Sequence, residues 1–282
     1  MNDFHSSSPR PEATLPASPS PEELRAAVRE KYGAIAEERA SGCCGEGGCA
    51  CGCGSPSGVM TEIGYTTEQI ASAPEGADLG LGCGNPLAYA SLQPGETVLD
   101  LGSGAGIDCF LAAREVGPGG RAIGVDMTAS MVERARRNAT QHGYANVEFR
   151  LGEIEHLPVA DGSIDAVISN CVINLSADKA QVFREAYRAL KPGGRLLVSD
   201  LVLLRPLSPE LQRNVELYVG CVAGAALQDE YLGFVRAAGF EAVEVVDERR
   251  YAVGASAMPE GSPEREAFSA VVSVKVRALK KK

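Results

Sequence analysis

The stretch that decides the fold is DLGSGAG, at residues 100–106. It begins within the apolar run TVLDLG (97–102) and leads directly into residues 107–117, whose apolar positions recur at helical spacing. Glycines are needed where the backbone turns tightly and approaches a ligand at the N-terminus of a helix. Asp126 closes the next predicted strand, where a carboxylate can accept both hydroxyls of a ribose. The spacing G-x-G-x-G differs from the dinucleotide fingerprint G-x-G-x-x-G, so the loop predicts a nucleotide-type site without naming the nucleotide.

Strands and helices alternate outward from this loop, which is typical of a parallel sheet covered on both faces. The late apolar segments are predicted strands with no helix of useful length between them. The predicted fold class is therefore α/β, a Rossmann-like doubly wound and mostly parallel sheet, with a Cys-rich N-terminal segment and a small C-terminal α+β substrate region. Predicted strands lie at 97–102, 121–127, 147–153, 163–170, 195–203, 240–254 and 269–279, and predicted helices at 21–40, 107–117, 130–142 and 179–194, with 209–238 helical in two pieces.

Charge and composition exclude several classes of function. The 282 residues carry a formal net charge of -10, and no basic patch is interleaved with aromatic residues, so we expect no nucleic-acid partner. Residues 1–20 lack the apolar core of a signal peptide, and no segment approaches the roughly 20 apolar residues of a membrane span. We therefore expect a cytoplasmic protein without membrane contact. Nine cysteines in a reducing compartment favour metal, metalloid or redox chemistry over a disulfide framework.

Three motifs together resemble the class I S-adenosylmethionine-dependent methyltransferases over residues 94–205: DLGSGAG, GVDMT (124–128) and LKPGGRLLVSD (190–200). The resemblance implies S-adenosylmethionine as the cofactor. It implies that Asp126 binds the ribose, that Met127 packs on the adenine, and that Gly102 and Gly104 admit the methionine part. The remaining cofactor-binding positions implied by it are Asp100 and Gly106 in the loop, Glu153 and Ile154 at the adenine edge, and Asn170 beside the sulfonium.

Three isolated cysteines follow turns at the predicted edge of the sheet. Cys83 lies in LGCGNP before the first strand, Cys171 follows the fourth strand, and Cys221 lies between two helical segments. They are too far apart for any local spacing rule, so only the fold can bring them together. A buried free cysteine that behaves as a small hydrophobic residue is the alternative for each, and it is our interpretation of Cys109.

Five further thiols lie between residues 42 and 58: Cys43, Cys44, Cys49, Cys51 and Cys53. Zinc sites favour C-x₂₋₄-C pairs together with a distant second pair or histidines. The three histidines of the chain are poorly placed to complete such a site here. Soft thiolates also select soft ions and exchange with disulfides. A zinc loop, a soft-ion trap, a thiol relay and an incidental disordered loop all remain open for this segment.

A second, more specific resemblance combines VREKYG (28–33), the adjacent pair Cys43-Cys44, the GCG turn (82–84), SNCVINL (169–175) and GCV (220–222). Over about residues 28–240 the chain resembles the arsenite S-adenosylmethionine methyltransferases. This resemblance implies that Cys83, Cys171 and Cys221 bind arsenic as thiolates, as substrate and not as a permanent metal. It implies that Cys44, or Cys43, is a relay thiol, and that a thiol reductant such as thioredoxin or glutathione is a co-substrate. The extra Cys49, Cys51 and Cys53 and the short C-terminal region depart from that family.

These interpretations divide the chain into four parts: a disordered tail (1–20), an N-terminal helix and Cys-rich loop (21–93), an S-adenosylmethionine-binding domain (94–205) and a C-terminal arsenic-binding region (206–282). The predicted function is methylation of arsenite for arsenic detoxification. Two alternatives remain. One is a methyltransferase for a small organic carbon, nitrogen or oxygen nucleophile, with cysteines that are merely buried. The other is a thiol-rich metal-binding protein on an inactive methyltransferase scaffold.

Overall fold

A seven-stranded sheet forms the centre of the protein, which the computed structural model describes at residues 19–38, 56–251 and 259–282. Its strands are β1 Thr97–Leu101, β2 Arg121–Asp126, β3 Val147–Leu151, β4 Ile164–Asn170, β5 Leu190–Leu203, β6 Glu241–Arg250 and β7 Val271–Leu279. They lie in the order β3-β2-β1-β4-β5-β7-β6. The first five pair in parallel, and β7 pairs antiparallel with β5 and β6. The predicted doubly wound, mostly parallel sheet is confirmed.

Ten α-helices within the described ranges accompany the sheet. They are α1 Pro21–Glu38, α2 Pro56–Glu62, α3 Thr67–Ser72, α4 Ile107–Val116, α5 Ala129–Gln141, α6 Lys179–Ala189, α7 Pro209–Gln212, α8 Val215–Val219, α9 Gln228–Ala237 and α10 Pro263–Ser269. Helices α4 and α5 belong to one apolar core cluster, and α6 and α9 to another, so both faces of the sheet are covered. None of these helices is long and apolar enough to cross a bilayer.

The central strands are buried because both of their faces carry helices. In the register of the sheet, Leu99 of β1 lies between Ile123 of β2 and Val167 of β4. All three side chains are almost fully buried in the same core cluster. Continuous apolar runs are the expected sequence of such doubly covered parallel strands.

Three predicted elements differ from the structure. The helix predicted over 179–194 ends at Ala189, and β5 begins at Leu190, because Pro192 and Gly193 cannot continue a helix. The segment 209–238 forms three helices, since Asn214 caps α8 directly after α7. A seven-residue helix, α10, lies between the late strands, where Ser262 caps it and Pro263 occupies its first turn.

The sheet also sets the position of a crevice. Strand β1 pairs with β2 on one side and with β4 on the other, so consecutive connections leave the carboxyl edge in opposite directions. Open α/β sheets bind ligands at such a switch point. Strands β6 and β7, from residues 206–282, join the same sheet, so the C-terminal region continues the architecture of residues 94–205.

Candidate active site

A cavity of about 860 Å³ opens at the carboxyl edge of β1, β2 and β4. This volume falls within the 300–1,000 Å³ typical of small-molecule sites. Helix α1 forms one wall, through residues that include Val28 and Tyr32. Of the positions assigned to cofactor or arsenic above, those that line it are Asp100, Gly102, Gly104, Asp126, Met127, Ile154, Asn170, Cys171 and Cys221.

The glycine loop forms the floor of this cavity. Gly102 and Gly104 have φ angles of 69° and 52°, in the left-handed region that favours glycine. A Cβ on Gly102 would lie 2.4 Å from the Val172 side chain, whereas a Cβ on Gly104 would meet nothing within 4 Å. The hydroxyl of Ser103 is buried and has no hydrogen-bond partner among the described residues. The loop thus leaves open space for a ligand at Gly104, whereas the Ser103 hydroxyl faces Gly124 of β2.

Gly106 serves packing and does not line the cavity. Its φ angle is 98°, and a Cβ there would lie 2.6 Å from the ring of Phe149. The close approach of α4 to the sheet is a reason for glycine at this position, and the role in cofactor binding that the resemblance implies for Gly106 stays a prediction.

Asp126 ends β2 at the rim of the cavity. Its carboxylate accepts hydrogen bonds from the backbone N–H of Gly104, at 3.0 Å, and of Thr128, at 2.8 Å. Burial raises the pKa of Asp126, and these two hydrogen bonds act in the opposite direction. The carboxylate is thus fixed in orientation by its neighbours, and Met127 follows it on the cavity wall.

Asp100 lies beneath the glycine loop in a buried polar network. It accepts a hydrogen bond from the Cys109 thiol at 3.5 Å. Burial raises the pKa of Asp100 well above its usual range, and the neighbouring charge of Asp108 adds to this effect. Cys109 is fully buried, as expected, and in addition acts as a donor to this carboxyl group.

The Glu153 side chain does not line the cavity, and its assignment to the adenine edge stays a prediction. Its carboxylate forms ion pairs with Arg29, at 2.7 Å, and Arg25, at 3.3 Å, both on α1. Since two arginines hold the carboxylate against α1, Glu153 attaches that helix to the body of the protein. Its neighbour Ile154 lines the cavity as predicted.

Asn170, the last residue of β4, holds the GCG turn in place. Its Oδ1 accepts from the Cys83 backbone N–H at 3.0 Å, and its Nδ2 donates to the Gly84 carbonyl at 2.7 Å. Nδ2 also donates to the Tyr65 hydroxyl oxygen at 2.9 Å. Asn170 lines the cavity and at the same time fixes the turn that carries Cys83.

The structure brings Cys83, Cys171 and Cys221 into one buried cluster. The Cys171 side chain lies within hydrogen-bonding reach of both other thiols, and the Cys221 thiol donates to the Cys171 carbonyl at 2.9 Å. The carbonyl of Ser199 on β5 accepts from the Cys171 N–H at 2.8 Å and from the Cys83 thiol at 3.5 Å. Residues 88 and 50 positions apart thus meet at one edge of the sheet. Cys83 lies behind the cavity wall, and Cys171 and Cys221 line it.

The backbone and the electrostatics of this cluster are both unusual. Cys171 and Cys221 adopt φ angles of 58° and 65°, a conformation that costs a residue other than glycine about 1–3 kcal/mol and that concentrates at functional sites. Burial raises the pKa of Cys83. The neighbouring Cys221 and Cys83 thiols, with burial, raise the pKa of Cys171 well above its usual range. The raised pKa values keep Cys83 and Cys171 in the thiol form at neutral pH.

Two residues beside the thiols have no counterpart in the sequence predictions. Asp200 on β5 is buried, and one of its carboxylate oxygens lies within 4.8 Å of the Cys83 and Cys171 sulfurs. Tyr32 on α1 lines the cavity and donates to the Val219 carbonyl at 3.3 Å. A carboxylate inside the apolar strand RLLVSDLVL (195–203) is the signal that could have pointed to Asp200. Cys44 and the four other thiols of its segment lie outside the described residues.

Comparison with known proteins gives the class of this protein. The model of the methyltransferase domain family matches residues 92–239, just over half of the chain. The chain therefore has the fold and the sequence of a methyltransferase of the doubly wound class.

Three relatives define the class further. Arsenite methyltransferase of Halobacterium salinarum is 51% identical over 240 residues, which are 82% of this chain and 61% of that protein. Arsenite methyltransferase of Aquipseudomonas alcaligenes is 43% identical over 196 residues, or 67% of this chain and 56% of that protein. An arsenic(III) S-adenosylmethionine methyltransferase structure from Chlamydomonas reinhardtii aligns with a TM-score of 0.62 at 32% identity, covering 79% of this chain and 73% of that chain. The chain belongs to the arsenite methyltransferase family. It spans less than two thirds of the length of the two curated relatives.

Proposed function

We propose that this chain transfers a methyl group from S-adenosylmethionine to trivalent arsenic held by Cys83, Cys171 and Cys221. The observation that carries the proposal is the meeting of these three thiols, distant in the chain, in one buried cluster beside the cavity. The names of the relatives point to the same substrate. The proposed role is arsenic detoxification in the cytoplasm, where thiols stay reduced.

The residues around the cavity fit the cofactor. Asp126 would accept the ribose hydroxyls, and Met127 and Ile154 would pack on the adenine. Gly102, Gly104 and Asp100 would hold the methionine part. When bound, S-adenosylmethionine supplies a methyl carbon on a positively charged sulfur, which is open to in-line displacement by an electron pair.

Protonated thiols suit arsenious acid because that substrate is neutral at pH 7. Each As–S bond forms as an As–O bond and an S–H bond break, and the thiol proton leaves with the hydroxyl group as water. Three such exchanges release three waters and need no external base. The raised pKa values of Cys83 and Cys171 are therefore compatible with substrate binding.

Three thiolate ligands leave arsenic pyramidal, with its lone pair on the face opposite the sulfurs. Cys171 and Cys221 line the cofactor cavity, so an ion bound to them lies at its wall. Holding the electron pair and the methyl donor in one geometry is the main catalytic effect that this site can supply. Apolar neighbours of the cluster, among them Val28, Leu175 and Val222, exclude water from it.

Methylation oxidises arsenic from the trivalent to the pentavalent state. We propose that two thiols return two electrons to arsenic and close to a disulfide, with Cys44, or Cys43, as the relay partner of the cluster. An external thiol reductant, thioredoxin or glutathione, then reopens the disulfide by thiol-disulfide exchange.

The test is incubation with arsenite, S-adenosylmethionine and a dithiol, followed by arsenic speciation. We expect methylated arsenicals from the unmodified chain and none from Cys171→Ser or Cys221→Ser. Cys109→Ser is the control for loss of a buried thiol outside the cluster, and its S-adenosylmethionine affinity is measured as well, because Cys109 donates to Asp100. Unchanged arsenite in a folded, cofactor-binding sample would favour an organic acceptor. Failure to bind S-adenosylmethionine in calorimetry would favour an inactive scaffold.

A further inference from the structure

A second kind of ligand set overlaps the thiol cluster. The sulfurs of Cys83 and Cys171 and a carboxylate oxygen of Asp200 all lie within 4.8 Å of one another, and all three residues are buried. Around a tetrahedral zinc ion with Zn–S bonds of about 2.3 Å, neighbouring sulfurs are roughly 3.8 Å apart. The group therefore needs to contract by only about 1 Å to enclose such an ion.

We propose that Zn²⁺ binds to Cys83, Cys171 and Asp200, so that the cluster has two overlapping ligand sets for two different ions. In this proposal Asp200 is a ligand of zinc and not of arsenic, whereas Cys221 is a ligand of arsenic and not of zinc. Zinc and arsenite then exclude each other, a consequence that rests on the proposed function. Zinc binding itself does not depend on that function.

Ligand chemistry supports this division. Zinc accepts both sulfur and carboxylate oxygen as ligands. Soft thiolates select softer ions, and carboxylate oxygen is a hard ligand that suits trivalent arsenic poorly. The Cys221 sulfur does not belong to this group of mutually close ligand atoms, and its thiol donates to the Cys171 carbonyl at 2.9 Å.

The Asp200 carboxylate is already held in a fixed orientation. Its Oδ1 accepts from the Leu201 N–H at 3.0 Å and from the Asn174 amide at 2.9 Å, and its Oδ2 accepts from the Tyr231 hydroxyl at 3.0 Å. Such outer contacts orient the ligands of metal sites and strengthen binding. Oδ2 keeps a lone pair that can be directed to an ion.

A half-buried cation, Lys179, lies near the proposed site and offsets part of its charge when it is loaded. Two thiolates and one carboxylate around Zn²⁺ leave one net negative charge. Lys179, whose ammonium donates to the carbonyls of Asn174 and Ser176, lies close enough to Asp200 for their charges to interact. Buried charges are tolerated where they are paired in this way.

The experiment measures Zn²⁺ and arsenite binding separately, by calorimetry under reducing conditions. The parent is the full chain with Cys43, Cys44, Cys49, Cys51 and Cys53 changed to serine, because those thiols would also bind zinc. We expect the parent to bind one Zn²⁺, Asp200→Asn to lose at least tenfold in zinc affinity, and Cys221→Ser to stay within threefold. For arsenite we expect the reverse, with at least a tenfold loss in Cys221→Ser and less than threefold in Asp200→Asn. Cys109→Ser is the control that should change neither.

Two outcomes overturn the zinc site: undiminished zinc affinity in folded Asp200→Asn, or loss of zinc in folded Cys221→Ser. Near-ultraviolet circular dichroism checks the fold of each variant. Where a variant fails to fold, X-ray absorption spectroscopy of the Co²⁺-loaded parent identifies the ligand atoms of the metal instead. Two sulfur ligands with oxygen support the site, and three sulfur ligands overturn it. Zinc binding as expected, with no arsenite binding by any variant, would instead reject the proposed function alone.

Discussion

Substituting Gly84 tests whether the GCG turn sets the spacing of the three thiols. An ideal Cβ on residue 84 would lie 2.0 Å from the Ser199 hydroxyl and 2.7 Å from Cε of Lys275. Ordinary contact begins at 3.4 Å, so in Gly84→Ala the turn and β5 must move apart by more than an ångström or rearrange. Ser199 is fully buried, which leaves its side chain little room to yield.

The size of the effect follows from how tightly the turn is held. Asn170 accepts from the Cys83 N–H, and the Ser273 hydroxyl donates to the Cys83 carbonyl at 2.6 Å, so the turn cannot shift without straining both bonds. Overpacking of a buried site costs about 1–3 kcal/mol. We expect Gly84→Ala to lower the free energy of unfolding by about 2 kcal/mol and to weaken arsenite binding at least tenfold, because Cys83 moves away from Cys171.

The assays are urea unfolding and arsenite calorimetry, with Gly119→Ala as the matched control. A Cβ on Gly119 meets nothing within 4 Å, so that variant should match the unmodified chain. Adding Ser199→Ala to Gly84→Ala removes the atom at 2.0 Å and should restore about 1 kcal/mol, which a double-mutant cycle will detect. A folded Gly84→Ala protein with unchanged arsenite affinity would refute the argument that this contact fixes the position of Cys83.

Three further predictions concern single polar residues. Asp126→Ala should weaken S-adenosylmethionine binding at least tenfold in calorimetry and leave arsenite binding within twofold; equal affinity would remove Asp126 from the cofactor site. Asn170→Ala should lower the free energy of unfolding in urea by about 2–3 kcal/mol, since it leaves the Cys83 N–H and the Gly84 carbonyl without partners, and a loss below 0.5 kcal/mol would contradict this. Burial raises the pKa of Asp108 from 3.8 to about 6, so the folded state binds this proton more tightly than the unfolded chain, and the resulting stability is present below pH 4 and lost as pH rises through 6. Urea unfolding of the unmodified chain relative to Asp108→Asn should thus show a decline of roughly 3 kcal/mol between pH 4 and 7, and a flat difference would reject it.

The sheet could be predicted from the sequence because its signals are local. A buried strand, the glycine loop and a carboxylate at the end of the next strand follow one another between residues 97 and 126, and each has a backbone reason. The helix predicted over 179–194 and the helices near residues 209–269 were placed less well, because short caps such as Asn214 and Ser262 decide where a helix begins.

Backbone positions and side-chain positions of the cofactor site differ in how far a motif can predict them. Residues whose backbone forms the cavity, such as Gly104, lie where the motif predicts them. The Glu153 side chain lies outside the cavity, because it is held by Arg25 and Arg29, which are more than 120 residues away in sequence. Motif spacing fixes where a backbone passes, but a distant partner determines where a charged side chain ends.

The thiol cluster could be predicted from the sequence only in part. Cys171 directly follows β4, so the sheet order places it at the carboxyl edge. Cys83 lies in a loop before β1 and Cys221 follows α8, so their positions depend also on Asn170 and on the packing of that helix. Asp200 lies mid-strand, and its carboxylate reaches the sulfurs only because β5 extends past the end of β4 to pair with β7, over Arg195–Leu203. The part of β5 beyond the end of β4 is paired with β7, Val271–Leu279. The zinc site that we propose thus depends on the pairing of β5 with β7 as well as on the turns that carry the cysteines.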